Sequence, residues 1–233
     1  MPIRESISLY KRYLDDRLLS KDVFKTYYLI MEGTNTEPIY FKLFKKKLSE
    51  LKLHNNIKLI FLERTINDRG HNSPKQLLNY IVKYRNEVND ENAKYLIVFD
   101  RDSYKSYKDG KAKYFEFLKL AKKENVDLIV TSPCFEIWLL LHKENAYEDL
   151  IKPHKEEIFL NKKVNKTQTF ISKMVYDNLH FNPKSEILEN LLDKLDIALM
   201  EAKYLTQSVE KMADEIGENV SVFINNILKD PRE

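Results

Sequence analysis

The chain has 233 residues, of which 43% are hydrophobic and 12% aromatic, and this apolar content excludes general disorder. Its 39 basic and 36 acidic residues leave a formal net charge of only +3, so net charge alone does not predict binding to polyanions. The single cysteine, Cys134, excludes a disulfide framework and a cysteine-based zinc site. We find neither an apolar run of about 18 residues nor a signal peptide, and we therefore expect a cytoplasmic protein with no membrane segment.

Four short apolar segments, each followed by a helical pattern, make up the first part of the chain. Buried apolar strands that alternate with helices indicate a parallel sheet covered by helices on both faces. With only four glycines, the sequence has no glycine-rich phosphate-binding loop. We therefore predict an α/β fold with about four parallel strands. The predicted strands are residues 26–31, 57–62, 95–99 and 126–130, and the helices begin near residues 38, 74, 111 and 133.

Beyond about residue 143 the pattern is helical only, and this change suggests three regions. Residues 22–145 are predicted to form the α/β core, and residues 146–233 a helical C-terminal region that packs on it. Residues 1–21 have leucine and tyrosine at near-helical spacing and are predicted to form an N-terminal arm or helix. The surplus of apolar residues on several helices suggests a homodimer.

Acidic residues follow three of the four predicted strands. Glu32 follows the first strand, with Glu37 at the next helix start, and Asp100 and Asp102 follow the third. Glu136 lies in the first turn of the helix after the fourth strand. If the first and third strands are neighbours, these carboxylates converge at one edge of the sheet, where ligands bind. Crowded carboxylates favour Mg²⁺ or Mn²⁺, whereas each acid taken singly can simply cap a helix or complement its dipole.

Three segments contain these acids: YLIMEGTNTEPIYF at residues 28–41, YLIVFDRD at 95–102 and TSPCFEIWLLLH at 131–142. In this order they resemble the Toprim nuclease domain of RloB-like abortive-infection proteins and, more distantly, the toxin AriB of the PARIS phage-defence system. The resemblance covers about residues 24–143. A Toprim domain has a Glu after its first strand and an Asp-x-Asp after its third, which correspond to Glu32, Asp100 and Asp102.

The resemblance implies Mg²⁺-dependent cleavage of nucleic-acid phosphodiesters by an effector of bacterial anti-phage defence. Glu32 would be a general acid/base or a metal ligand, Asp100 and Asp102 metal ligands, and Glu37 and Glu136 further ligand candidates. The likeness to AriB favours RNA, such as tRNA, over DNA and implies a partner ATPase. Topoisomerase and primase activities are disfavoured, because the chain has no room for strand-passage domains and has no zinc-binding module.

Several basic and aromatic residues near the acids are candidates for contacts with nucleic acid. Lysine and arginine can bind phosphates, and tyrosine rings can stack on unpaired bases. The open alternatives are that the loop after the second strand is merely solvated, that the arginine between the aspartates pairs with them, and that one tyrosine ring packs in the core. The candidates are Arg69, His71, Arg101, Tyr104, Lys105, Tyr107 and Lys108.

A different class of function also fits this sequence. The chain would then be a non-catalytic binding or regulatory module, in which the acids hold a structural ion or a basic partner. Its helical C-terminal region would dock on the partner ATPase.

Overall fold

A five-stranded sheet with the order β2-β1-β3-β4-β5 forms the centre of the structure, a computed structural model that describes residues 25–51, 57–63, 73–90, 92–184, 187 and 189–229. The first four strands are parallel, and β5 pairs antiparallel with β4. The predicted α/β fold with a mostly parallel sheet is therefore confirmed. The strands are β1 (Lys25–Met31), β2 (Ile57–Phe61), β3 (Lys94–Asp100), β4 (Asp127–Ser132) and β5 (Gly217–Glu218).

Eight α-helices within the described residues flank this sheet. They are α1 (Thr36–Glu50), α2 (Pro74–Val88), α3 (Gly110–Lys123), α4 (Glu136–Leu140), α5 (Lys155–Leu160), α6 (Phe170–Leu179), α7 (Leu195–Glu201) and α8 (Val220–Leu228). Short 3-10 turns occur at Arg101–Tyr104, Lys152–His154, Glu189–Lys194, Ala202–Tyr204 and Lys211–Ala213, and a π-helical turn at Tyr147–Ile151. None of the described helices combines the length and apolar composition that crossing a bilayer requires.

The start and end of α2 follow directly from the local sequence. The Gln76 side-chain oxygen accepts hydrogen bonds from the Ser73 amide at 3.1 Å and the Ser73 hydroxyl at 2.8 Å. Pro74 occupies the first turn, where no backbone donor is required. Asn89 ends the helix in the left-handed conformation, with φ of 51°. The observed helix therefore agrees closely with the predicted one.

Alternating strand residues divide the core into two clusters on opposite faces of the sheet. Leu29 and Val98 face α1 and the helices of the C-terminal region, whereas Ile30 and Ile97 face α2 and α3. The Tyr27 ring of β1 meets the Phe223 ring of α8 edge-on, with centroids 5.7 Å apart. The C-terminal region and α1 therefore share one hydrophobic cluster. Residues 1–21, predicted to form an N-terminal arm, lie outside the described residues.

The fifth strand was not predicted, because two residues are too short to show the period of a strand. The expectation of helical structure alone after residue 143 is wrong at this point. Next to β5, the Asn219 side chain continues the hydrogen bonding along the edge of β4. Its Oδ1 accepts from the Val130 amide at 2.6 Å, and its Nδ2 donates to the Leu128 carbonyl at 2.8 Å.

The apolar segment around α4 is fully enclosed. Trp138 is completely buried and Cys134 nearly so. His142, at the end of this segment, is also completely buried. Its Nδ1 lies 3.1 Å from the Trp138 carbonyl and its Nε2 lies 3.3 Å from the Tyr40 hydroxyl, which suits a neutral ring protonated at Nδ1. Burial lowers the pKa of His142 to about 4, because an imidazolium would lose its hydration there.

We predict that Asn219→Ala destabilises the protein by about 1–3 kcal/mol, because the Val130 amide and the Leu128 carbonyl lose their partner. Urea unfolding monitored by circular dichroism measures the change. Asn226→Ala, at an exposed position of the same helix, is the matched control. Equal stability of the two variants would contradict the proposed role of the Asn219 amide.

We also predict an acid-side loss of stability that depends on His142. The unfolded chain takes up a proton near pH 6.5, whereas the folded chain does so only near pH 4. The stability associated with the neutral ring is therefore complete above about pH 6.5 and falls by up to about 3 kcal/mol as the pH drops toward 4. His142→Leu should flatten this part of the stability–pH curve, and His154→Leu, at a histidine whose side chain is 45% exposed, should not.

Candidate functional site

The acidic residues lie where the direction of the sheet connections reverses. The chain passes from β1 to β2 on one side and then returns to β3 on the other side of β1. In open α/β sheets this switch point, at the carboxyl ends of the strands, is where ligands bind. The Glu32 amide donates to the Val98 carbonyl at 2.9 Å, which joins the two strand ends. Strands β1 and β3 are therefore neighbours, which is the arrangement that brings the predicted carboxylates to one edge of the sheet.

Glu32 is held against the turn that follows β3. The Ser103 hydroxyl lies 2.5 Å and 2.6 Å from the two carboxylate oxygens of Glu32, and the Asp100 amide donates to Oε2 at 3.3 Å. Ser103 belongs to the 3-10 turn Arg101–Tyr104. The two acidic motifs thus meet directly, and the contact needs a serine that the sequence analysis did not single out.

Asp100 interacts with strand β4 and with three of the other acids. The Thr131 hydroxyl, on the neighbouring strand β4, donates to its Oδ1 at 2.6 Å. Burial raises the pKa of Asp100 well above its usual value, and the nearby charges of Glu37, Glu136 and Glu32 raise it further, while the Thr131 bond opposes them. Four predicted acids are therefore close enough to repel one another.

Glu37 and Glu136 complete this group from α1 and α4. Burial, with smaller contributions from Glu136 and Glu32, raises the pKa of Glu37 to about 7, although backbone hydrogen bonds at Glu37 and Gly33 oppose the rise. A Cβ atom at residue 33 would collide with the Glu37 carboxylate, so glycine permits this close approach. Glu136 accepts a hydrogen bond from the Ser172 hydroxyl of α6 at 3.0 Å.

Asp102 interacts with two cations of its own segment and with Asn161 of the C-terminal region. Its amide donates to the Pro133 carbonyl at 3.1 Å. Its Oδ1 is buried without a hydrogen-bond partner among the described residues, and Arg101 Nη1 lies 3.6 Å from it. Burial raises the pKa of Asp102, whereas the charges of Lys105 and Arg101 and a hydrogen bond with Asn161 oppose the rise.

The five acids supply suitable atoms for a hard cation, but their arrangement is not that of a formed metal centre. Carboxylate oxygens are the ligands that Mg²⁺ and Mn²⁺ prefer. Across the described part of the chain, however, no three His, Cys, Asp or Glu side chains are grouped so that they could hold a metal ion. Glu32, Asp100 and Glu136 are instead hydrogen bonded to serine and threonine hydroxyls. The donor chemistry fits, and cation binding would require the side chains to move together.

Two of the residues predicted to contact nucleic acid make extensive contacts within the protein, and their predicted roles stay predictions. Arg101 donates from Nη2 to the Ala213 carbonyl at 2.7 Å, and its guanidinium lies 4.4 Å from the centre of the Phe159 ring. Arg101 therefore contacts the C-terminal region at two places. Tyr104 is only 8% exposed and packs against Phe117, so its ring belongs to the core.

The other candidates within the described residues are all exposed. Lys105 donates to the Leu160 carbonyl and lies 3.6 Å from Asp102, while Lys108 is exposed. Tyr107 is 44% exposed. Arg69 and His71 lie outside the described residues, and their predicted roles stay predictions.

The C-terminal region contributes side chains to the site that sequence reasoning missed. Ser172 binds Glu136, and Asn161 interacts with Asp102 and donates from Nδ2 to Cys134 Sγ at 3.3 Å. Asn161 Oδ1 also accepts from the Ile171 amide at 3.2 Å, which links α6 to the same place. Nothing in the local sequence marks these residues, because their partners lie far away along the chain.

We predict that Asp100→Asn stabilises the metal-free protein at neutral pH by about 1 kcal/mol or more. The change replaces an acid whose ionisation is disfavoured by burial and by neighbouring carboxylates with a neutral amide, which can still accept a hydrogen bond from Thr131. Thermal unfolding in a chelator measures the effect. Asp127→Asn, at an exposed strand position, should change stability by less than about 0.5 kcal/mol. A destabilised Asp100→Asn protein would contradict the repulsion argument.

Comparison with known proteins identifies the family. A family model described as RloB-like protein matches residues 27–227, a span that includes nearly all of the sheet, the acidic residues and most of the C-terminal region. No curated protein and no solved structure matches the chain. Because the family model covers most of the sequence, the chain belongs to the RloB-like family.

Proposed function

We propose that this protein is an endonuclease that uses Mg²⁺ or Mn²⁺ to cleave nucleic-acid phosphodiesters. The observation that carries the proposal is the grouping of buried and half-buried carboxylates from three strand ends at the switch point, where desolvation and mutual repulsion raise the pKa of Asp100. Such a group gains by binding a divalent cation, which replaces repulsion with attraction.

Membership of the RloB-like family supports a role in anti-phage defence. The preference for RNA, such as tRNA, and the involvement of a partner ATPase depend on the sequence resemblance alone. We likewise propose a homodimer only because several predicted helices have more apolar residues than the core of one chain requires.

In this proposal Glu32, Asp100 and Asp102 hold the cation, with Glu37 and Glu136 as additional ligands. When bound, the cation would orient the phosphodiester and stabilise the leaving oxygen. The carboxylate of Glu32 is fixed by the Ser103 hydroxyl, and from that position it accepts or delivers the proton of the reaction. The Thr131 and Ser172 hydroxyls hold Asp100 and Glu136 in the same way.

Metal binding can be tested without any cleavage assay. We expect Mg²⁺ or Mn²⁺ to raise the melting temperature of the wild-type protein, because a ligand that binds only the folded state stabilises it. Asp100→Asn should lose most of this shift, whereas Asp127→Asn should keep it. A shift of equal size in Asp100→Asn would remove Asp100 from the metal site.

Cleavage itself provides the second test. Glu32→Gln and Asp100→Asn should each lower the rate by about 100-fold or more, because a positioned acid/base or ligand is lost. Glu144→Gln, at an exposed glutamate, is the control. The assay follows total RNA and plasmid DNA, and sequencing of RNA ends from cells with and without the neighbouring genes locates the cut. Unchanged cleavage in both variants would refute the proposed site.

One observation favours the alternative of a non-catalytic binding or regulatory module. Among the described residues no three candidate ligands are grouped as a metal site. Two experiments together distinguish the nuclease from the non-catalytic module. One is a calorimetric metal titration, and the other is incubation of the protein with RNA and DNA in the presence of cellular partners. Binding without turnover in every partner state would support the alternative, whereas inactivity of the isolated protein alone would not.

A further inference from the structure

A small pocket lies next to the acidic group, on the side of the sheet covered by α2 and α3. Its volume is about 250 Å³, and its lining includes Ser73, Lys75, Ser103, Tyr104, Tyr107 and Phe117. Ser103 connects this pocket to the acids, because its hydroxyl binds Glu32 at 2.5 Å and 2.6 Å. A ligand in the pocket would therefore be separated from Glu32 of the proposed reaction site only by the side chain of Ser103.

The walls of the pocket have the chemistry that binds a flat aromatic group. The centroids of the Tyr104 and Tyr107 rings are 6.3 Å apart, and those of Tyr104 and Phe117 are 6.1 Å apart. Such rings can stack on any of the nucleobases. Lys75 and Lys113 outnumber the single acid of the lining, Glu116, so the pocket also attracts an anionic backbone.

Tyr107 is positioned before any ligand arrives. The Tyr107 amide donates to the Tyr104 carbonyl at 3.3 Å, and the Gly110 amide donates to the Tyr107 carbonyl at 3.1 Å. The ammonium of Lys113 lies 4.4 Å from the centre of the Tyr107 ring. These contacts hold the segment from Tyr104 to Gly110 in a compact turn. A ring held in place loses little entropy on binding.

We propose that this pocket receives one unpaired nucleobase of the nucleic acid that enters the acidic site. The inference deepens the proposed nuclease function and depends on it. The pocket is smaller than the roughly 300–1,000 Å³ of sites for drug-sized ligands, which suits a single base. A base within a continuous duplex is stacked and paired, so it cannot enter without being extruded. The substrate class is therefore a single strand or a loop.

The test is a fluorescence anisotropy titration with a short unstructured RNA labelled with fluorescein, carried out in a chelator so that no cleavage occurs. Stacking of one base on an aromatic ring contributes about 1–3 kcal/mol, so Tyr107→Ala should weaken binding by about 10-fold or more. Tyr107→Phe keeps the ring and should bind as the wild type does. Tyr204→Ala, at a tyrosine that is 61% exposed in the C-terminal region, is the control.

The outcomes separate failure of the pocket from failure of the nuclease proposal. The pocket is supported if Tyr107→Ala binds the RNA more weakly while Tyr107→Phe and Tyr204→Ala do not. The wild type must also bind duplex RNA less tightly than single-stranded RNA. Equal affinities of wild type and Tyr107→Ala, or a wild type that binds duplex as tightly as single strand, would overturn it. A wild type that fails to bind the labelled RNA would overturn it as well. Metal-dependent melting shifts and their loss in Asp100→Asn test the nuclease site independently of these titrations.

Discussion

The crowding of negative charge at the ends of β1, β3 and β4 is the constraint on which the candidate site depends. A buried carboxylate loses its hydration, and the loss is larger when other carboxylates lie close to it. Asp100 experiences both effects. Hydroxyl groups at Ser103, Thr131 and Ser172 partly compensate, since each donates a hydrogen bond to one acid. Hydroxyls carry no charge, so the repulsion persists until protons or a cation neutralise it.

The C-terminal region is part of this arrangement as well as part of the core. Its helices cover the face of the sheet that α1 also covers, and Phe223 and Ile224 are buried there. The same region supplies Ser172 to Glu136 and a backbone carbonyl, that of Ala213, to Arg101. The acidic turns are therefore fixed from both sides, by the strands that carry them and by helices that follow much later in the chain. This is consistent with a family model that spans nearly all of the described chain.

The sequence predicted the sheet and its acids well, because both depend on local patterns. A buried parallel strand is a continuous apolar run, and the residues after it lie at the carboxyl edge of the sheet wherever the strand is placed. Glu32 and Asp100 could therefore be assigned to one edge before any contact was known. The local sequence could not predict the surroundings of side chains that contact distant parts of the chain. Arg101 binds a carbonyl of residue 213, and His142 is enclosed by Tyr40 and Trp138.

By itself, the sequence determined the alternation of strands and helices, the positions of the acids after the strands, and the likeness to RloB-like proteins. Only the tertiary structure decided which hydroxyls hold the acids, that Tyr104 packs in the core while Tyr107 is exposed, and that a two-residue strand with Asn219 borders β4. The physical reason is the separation along the chain over which each interaction acts. Hydrophobic periodicity and turn chemistry act between residues close in sequence, whereas hydrogen bonds and burial join residues such as Glu136 and Ser172 only after the chain has folded.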